Sequence, residues 1–161
     1  MKFIKTGQTR SDAKRIKLVM VDDEDFEYLN QFHWHVDKHD SVKRHVKLRN
    51  GKNTSILIHR DILKPPKSIE IDHIDRNRLN NQKSNLRFAT SSQNKHNVGL
   101  RSDNTSGFKG VHWNKDRKKW QASIFIKGHH KFLGFYLNAR LAADAYNETA
   151  LKTRGEFAYL N

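Results

Sequence analysis

The chain has 161 residues, enough for one domain or two small ones, and carries a formal net charge of +14 with no cysteine. This charge favours polyanionic partners, nucleic acid first and an anionic membrane surface second. Without cysteine, disulfides and thiolate zinc sites are excluded, and any metal must be held by nitrogen or oxygen ligands. No apolar run reaches membrane-spanning length and the N-terminus lacks the apolar core of a signal peptide, so we expect a cytoplasmic protein.

Residues 1–60 are predicted to be rich in β-structure. The segment IKLVMV (16–21) is typical of a strand, and DDEDFEYLNQF after it predicts a short helix with Asp at its start. Apolar and basic residues then alternate on both sides of Asn50-Gly51, which predicts a hairpin. One face of this hairpin carries Lys43, His45 and Lys47. Two interpretations remain open for that face, a solvated surface or a contact with DNA.

The second region comprises residues 61–97, and after Pro65-Pro66 it predicts a strand, a long turn, a second strand and the start of a helix. This unit is too small for its own core and must lean on the first region. Its turns are unusually rich in Asn, a residue that caps helices and coordinates hard cations through its amide oxygen. A polar surface loop and a metal site are therefore both consistent with the composition.

The pair Asp72-His73 in the first of these strands has the chemistry needed to hydrolyse a phosphodiester. Histidine suits proton abstraction near neutral pH, and Asp and Asn oxygens suit Mg²⁺ or Mn²⁺. Successive strand residues point to opposite sides. We therefore expect a division of labour in which Asp72 holds the metal and His73 faces the attacking water.

The elements Asp-His-Ile (72–74), Asn-Asn (80–81), Asn-Leu-Arg (85–87) and Gln-Asn (93–94) resemble those of HNH endonucleases, above all the phage and intron-encoded homing type. The resemblance implies a ββα-metal unit that cleaves nucleic acid, with one divalent ion, Mg²⁺ or Mn²⁺, bridging the scissile phosphate and the leaving oxygen. It assigns His73 as general base, Asp72 and Asn94 as metal ligands, and Asn85 as the residue that ties the loop and orients the base. Arg87 is expected to contact DNA. His96 is a weaker ligand candidate, and His59 is expected mainly to pack.

Residues 98–107 predict a polar linker, and 108–161 predict three strands followed by an Ala-rich helix that begins after Asn138. This segment resembles the ethylene-response-factor (APETALA-type) DNA-binding domain of plants in Gly110-Val111, Trp120, Leu133-Gly134-Phe135 and the small residues of the helix. The resemblance implies that the open face of the sheet lies in the major groove, although most plant contact residues are replaced here. The matching sheet-face candidates are Lys109, His112, Asn114, Ser123, Phe125, His130 and Phe132. The candidates for phosphate contacts are Lys115, Arg117, Lys118, Lys119 and Lys131.

The role of Phe125 and Phe132 is left open at this stage. They either contact DNA, for example at thymine methyl groups, or close the edge of a small core. Trp113 and Trp120 are predicted to lie in the core. The basic residues matched to phosphate contacts are expected to bind the DNA backbone, which gives affinity without sequence information.

The predicted fold is α+β, with an N-terminal β-rich DNA-contact region, a ββα-metal unit, a linker, and a three-stranded antiparallel sheet backed by one helix. The predicted function is a homing-type endonuclease that nicks one strand of double-stranded DNA as a monomer, with no membrane and no small-molecule cofactor. One alternative is a DNA-binding regulator whose nuclease site is vestigial. Another is a non-specific nuclease, which the appended DNA-binding segment argues against.

Overall fold

The computed structural model describes residues 1–7 and 16–161; residues 8–15, part of the predicted N-terminal region, lie outside the described residues. The chain forms two compact units, Met1–Ser91 and Ser92–Asn161. Both combine small antiparallel sheets with few helices, so the predicted α+β class is confirmed. Within the described ranges, no helix is both long and apolar enough to cross a membrane.

In the described part of the first unit, residues 1–7 and 16–91, there are three small antiparallel sheets. Strand β1 pairs with β2, β3 and β5 flank β4, and β6 pairs with β7. Helix α1 follows β2, helix α2 follows β5, and a 3₁₀ turn leads into β7. The bounds are β1 Lys2–Lys5, β2 Leu18–Val21, α1 Asp23–Leu29, β3 His35–Val36, β4 Val42–Lys47, β5 Asn53–Leu57, α2 Ile58–Leu63, β6 Glu70–His73, the 3₁₀ turn Lys83–Asn85 and β7 Leu86–Ala89.

The core of this unit forms around Trp34, which is fully buried and whose indole Nε1 donates to the Leu29 carbonyl oxygen at 2.8 Å. Apolar residues from β1, β2, β4 and α2 pack in the same cluster, so the hairpin predicted around Asn50-Gly51 is anchored on one face. Arg44 crosses this face, pairs with Asp61 at 2.9 Å, and lies over the ring of Phe32. Its aliphatic stem and charge are therefore both accommodated inside the unit.

The second unit is a three-stranded antiparallel sheet in the order β10-β9-β8, packed on one long helix. The predicted helix cap is present, since the Asn138 side chain accepts from the Leu141 amide at 2.9 Å. Alternation along β9 buries Ala122 and Ile124 on the helix side and exposes Phe125 on the other, as predicted. The bounds are α3 Ser91–His96, which begins at the unit boundary, β8 Val111–Asn114, β9 Lys119–Ile126, β10 His129–Tyr136, α4 Ala139–Arg154 and a closing 3₁₀ turn Gly155–Phe157.

Trp113 corrects the predicted core. It shares the helix-side face with its cross-strand partner Trp120 but lies 46% exposed, because it is near the end of β8 and packs edge-on against Trp120 at 5.3 Å rather than under the helix. Trp120 packs partly buried against the core cluster, which agrees with its predicted place.

Gly110 allows the helix to approach the sheet closely. A Cβ at this position would lie 2.3 Å from a ring carbon of Tyr146 and 2.5 Å from the Ser123 carbonyl oxygen, and the backbone φ is +75°. Gly110→Ala should therefore destabilise the second unit by roughly 2–4 kcal/mol, from overpacking plus backbone strain. Urea unfolding followed by near-UV circular dichroism measures the change.

Gly128→Ala is the matched control for this variant. Gly128 has a similar φ of +86°, but nothing lies within 4 Å of its virtual Cβ. It should lose only the backbone component, about 1–2 kcal/mol. Equal losses in the two variants would refute the packing role of Gly110.

Candidate active site

The β6–β7 hairpin brings Asp72 and His73 into a buried position, with 5% and 7% of their surfaces exposed. Cross-strand register places Asp72 opposite Arg87 and His73 opposite Leu86. Apolar neighbours Ile71, Leu86 and Ala89 are also buried, so the hairpin is held by packing as well as by its ladder. Two polar side chains held this firmly in a four-residue strand indicate a site rather than a solvated loop.

The loop between the strands is fixed by a network of side-chain hydrogen bonds around Asp75 and Asn85. The Asn85 amide donates to Asp75 Oδ1 at 2.8 Å and to the Asn80 carbonyl at 2.9 Å, while its oxygen accepts from the Asp75 backbone amide at 3.0 Å. The Asn80 amide donates to the other Asp75 oxygen at 2.8 Å. Burial alone would raise the pKa of Asp75, but these hydrogen bonds and that from the Asn77 backbone lower it overall. Asn85 therefore ties the loop directly.

The imidazole of His73 is held by Asn81, which is fully buried. Asn81 Oδ1 lies 3.2 Å from His73 Nε2, and the Asn81 amide nitrogen donates to the Arg78 carbonyl at 3.0 Å. Since the second bond fixes which end of the amide faces the ring, the oxygen accepts and Nε2 carries the hydrogen. Nδ1 is then the basic nitrogen of the neutral ring. Sequence reasoning matched Asn81 to an Asn-Asn element but gave it no role.

His59 packs against the same imidazole. The two ring centroids lie 5.2 Å apart in an edge-to-face arrangement, and His59 is carried by α2. Burial and the neighbouring His73 lower the pKa of His59 to about 3, so this ring stays neutral. Burial also lowers the pKa of His73, against the opposing effects of Asn81 and Asp75. Both rings are therefore uncharged at neutral pH.

Arg87 lies on Asp72 and not on an open surface. Its Nε and one terminal nitrogen donate to Asp72 Oδ2 at 2.9 and 2.7 Å, and the side chains are 12% and 6% exposed. A contact between Arg87 and DNA stays a prediction. In this structure the Arg87 guanidinium forms a salt bridge with the Asp72 carboxylate. Asn94, the other predicted ligand, lies on α3 in the second unit, as does His96.

The oxygen donors of Asp72 and Asn94 fit a hard divalent cation, which prefers oxygen and keeps several waters. Among residues 1–7 and 16–161 no group of three or more His, Cys, Asp or Glu side chains is placed to hold a metal. Mg²⁺ sites do not usually need three such side chains. One or two carboxylates together with the substrate phosphate are sufficient. The Asp72 carboxylate therefore has the donor chemistry that the predicted ion needs.

The predicted DNA contacts of the first unit lie on β4. Lys43 is partly buried and pairs with Asp37 at 3.4 Å, whereas Lys47 is exposed. His45 lies between them on the same face, with its Nδ1 at 3.1 Å from the Ser55 hydroxyl. Lys47 is thus the more accessible of the two predicted lysines.

The second unit gathers most of its predicted contacts on the open face of its sheet. Phe125 and Phe132 are 51% and 54% exposed and belong to no buried cluster, which excludes the core-edge interpretation. Each contacts another ring, His130 and Phe135 respectively, at 5.0 Å. His112, Asn114, Lys119 and Ser123 share this face, whereas the register places Lys131, which is exposed, opposite Ile124 on the other face.

Lys109, a predicted sheet-face contact, makes contacts within the second unit. Its ammonium donates to the backbone carbonyls of His96, at 3.0 Å, and Val98, and lies over the ring of Tyr159. Asn114 is also engaged, since its amide donates to the Gln121 side chain at 3.1 Å and its oxygen accepts from the Arg117 backbone. These two residues hold the unit together, whatever further contacts they make.

Comparison with known proteins places this site in a family. Residues 64–96 match the family model of HNH endonucleases. The chain is 36% identical to protein 3.8 of Escherichia phage T7 over 91 residues, 56% of this chain and 68% of that protein. It is 38% identical over 98 residues to the uncharacterized HNH endonuclease L560 of Acanthamoeba polyphaga mimivirus, 61% of this chain and 50% of that protein.

A similarity to a solved structure is also found. The HNH homing endonuclease I-HmuI aligns with a TM-score of 0.37 and 18% identity, over 76% of this chain and 75% of that one. The chain spans half the length of the mimivirus relative and two thirds of the phage T7 protein. The matched segment 64–96 contains Asp72, His73, Asn85 and Asn94, and the chain belongs to the HNH endonuclease family.

Proposed function

We propose that this HNH endonuclease is a metal-dependent, homing-type enzyme that cuts DNA, nicking one strand as a monomer with His73 as its general base. The observation that carries the proposal is the buried imidazole whose Nε2 is fixed by the Asn81 amide at 3.2 Å. A general base accepts a proton at the ring nitrogen that carries no hydrogen. Because the Asn81 contact places the hydrogen on Nε2, that nitrogen is Nδ1. The phage relative favours a protein that works in the cytoplasm of an infected bacterium.

In this mechanism the side chains of the hairpin divide the work. His73 accepts the proton of the attacking water, whose oxygen bonds to phosphorus as the bond to the 3′ oxygen breaks, leaving 5′-phosphate and 3′-hydroxyl ends. Asn81 keeps the ring oriented, and Asn85 keeps the loop that carries Asn81 closed onto the strand. A divalent ion held by Asp72 and Asn94 would supply Lewis-acid stabilisation of the developing charge.

Nicking of a supercoiled plasmid tests this function. We expect conversion to the open circle with Mg²⁺ or Mn²⁺, and none with a chelator. Binding that persists without any nicking under either ion would favour the alternative, a DNA-binding regulator with a vestigial site. Cleavage at every position of random-sequence DNA would favour a non-specific nuclease.

The open sheet face of the second unit is proposed to lie against the same DNA, as the ethylene-response-factor resemblance implies. Its open face carries exposed phenyl rings together with the exposed Lys119, which supports a polyanion with apolar features at its surface. The two rings of each contacting pair are inclined at 68° and 59°, so they form no flat platform for stacked bases. Thymine methyl groups in the major groove fit them better.

Replacing thymine by uracil tests this contact because it removes only the methyl group. Random-sequence duplex pools made with uracil should bind about three- to tenfold more weakly than thymine pools, which corresponds to one or two buried methyl groups. Fluorescence anisotropy measures both affinities. Phe132→Ala should abolish the difference between the pools.

Lys119→Ala is the matched control, since a phosphate contact should weaken both pools equally. Equal binding of the two pools by the unmodified protein would remove the phenyl rings from base recognition. The lysines would then account for the affinity of this unit by themselves.

A further inference from the structure

The salt bridge between Arg87 and Asp72 neutralises the carboxylate that is predicted to hold the metal. The two residues face each other across the β6–β7 ladder, and two guanidinium nitrogens converge on one carboxylate oxygen, Oδ2, at 2.9 and 2.7 Å. Both side chains are nearly buried, at 12% and 6% exposure. Such a pair is weakly screened by solvent, so the arginine charge acts on anything that approaches Asp72.

The charge of Asp72 is therefore already compensated on one side. Among the groups that act on the neighbouring imidazole, Asp75 and Asp72 favour the protonated ring and Arg78 opposes it. The Arg87 guanidinium held against Asp72 repels a divalent cation that approaches this carboxylate alone, whereas a phosphate beside it would add negative charge at short range.

We propose that Arg87 is the resident counter-ion of Asp72 and makes divalent-metal binding depend on DNA, so that cation and nucleic acid load together. Arg87 is thus a positioning residue that acts through Asp72 and not a phosphate contact. This inference rests on the proposed function, in which Asp72 is a metal ligand. It adds an order of assembly, because a site without DNA stays poorly occupied by metal.

Titration of Mn²⁺ into the full chain, followed by the electron paramagnetic resonance signal of the free ion, tests the dependence. His73→Ala is the background, so that added duplex stays uncut. The same protein with Asp72→Asn is the blank that corrects for Mn²⁺ bound by the duplex itself. We expect Mn²⁺ to bind at least about tenfold more tightly with the duplex than without it, since the phosphate adds a negative charge at short range.

Arg87→Met identifies the source of the dependence. It removes the charge and keeps an unbranched side chain, so Mn²⁺ should bind more tightly without DNA, and the ratio of the two affinities should fall at least about threefold. Arg87→Lys restores the charge and should restore much of the ratio. DNA affinity in the absence of metal should stay within about twofold in both variants if Arg87 makes no phosphate contact.

Three results would overturn the inference: equal Mn²⁺ affinity with and without the duplex, an unchanged ratio in Arg87→Met, or a large loss of metal-free DNA affinity in that variant. The first needs no Arg87 variant and stands even if Arg87→Met fails to fold. Plasmid nicking by the unmodified protein is run in parallel. Nicking together with DNA-independent Mn²⁺ binding refutes this inference alone, whereas absent nicking refutes the proposed function.

Discussion

His73→Ala is expected to lower the single-turnover nicking rate by about 10²–10⁴-fold, the usual contribution of a positioned general base, and to leave DNA affinity nearly unchanged. The reason is geometric as well as chemical. The imidazole is 7% exposed and its Nε2 lies 3.2 Å from the Asn81 oxygen, so the ring acts from within the hairpin and not as a surface contact for DNA. Quench-flow nicking and anisotropy on the same duplex separate the two quantities.

The pH dependence of the unmodified enzyme adds a second measurement to this prediction. A base works only when unprotonated, and burial lowers the pKa of His73 below its ordinary 6.5. The rate should therefore stay level through neutral pH and fall on acidification with a midpoint below 6.5. His59, with a pKa of about 3, does not titrate in this range and cannot be the source of the change.

His33→Ala is the matched control, since it deletes an exposed imidazole from the same unit. It should nick at the unmodified rate. Partial recovery of the His73→Ala variant by free imidazole would support loss of the base as the cause, because a misfolded hairpin would not be rescued. Full activity in His73→Ala would remove the residue from the mechanism.

The elements that sequence predicts well here are those with a local signal. Alternation along residues 119–126 predicts which side of β9 is buried, and Asn138 predicts the start of α4. The strand–loop–strand order around Asp72 follows in the same way from short apolar runs separated by Asn-rich turns. Each of these depends on neighbours within a few residues, so no long-range contact had to be known.

The features that sequence could not predict depend on register and on distant backbone. The sequence gives no sign of the cross-strand partner of Arg87, and only the observed register sets this residue against Asp72. The acceptors of Lys109 are backbone carbonyls, which leave no trace in composition. β1, of only four residues, is too short to show a period and is stabilised by pairing with β2.

The role of Asn81 was missed for the same reason. Its place against His73 depends on the loop, and the loop is anchored by the Asn81 backbone N–H, which donates to the carbonyl of Met20 in β2 at 2.8 Å. The Met20 amide in turn donates to the Leu79 carbonyl at 2.8 Å. An Asn-Asn pair in a polar turn gives no sign of these long-range hydrogen bonds. Long-range backbone bonds therefore decide which of the many Asn residues meets the imidazole.

Asn81→Leu is the second variant for which we expect a large effect. The nicking rate should fall about 10–100-fold, as it does when a residue that orients a functional histidine is lost. Leucine has the same branched heavy-atom skeleton but cannot accept from Nε2, so either nitrogen of the neutral ring can carry the hydrogen and the basic one is no longer fixed. The variant also leaves the Arg78 carbonyl without its Asn81 donor, which costs about 1–3 kcal/mol of stability. Rates are therefore compared below the unfolding transition of the variant.

Asn81→Asp distinguishes orientation from simple damage to the hairpin. Aspartate keeps an oxygen that accepts from Nε2 and adds a negative charge beside the ring, which favours the protonated imidazole and raises the pKa of His73. The acidic limb of the pH–rate profile should move to higher pH, with much of the plateau rate retained above it. A structural defect alone would lower the rate at every pH without moving the limb. An unshifted limb in Asn81→Asp would mean that Asn81 does not set the state of the base.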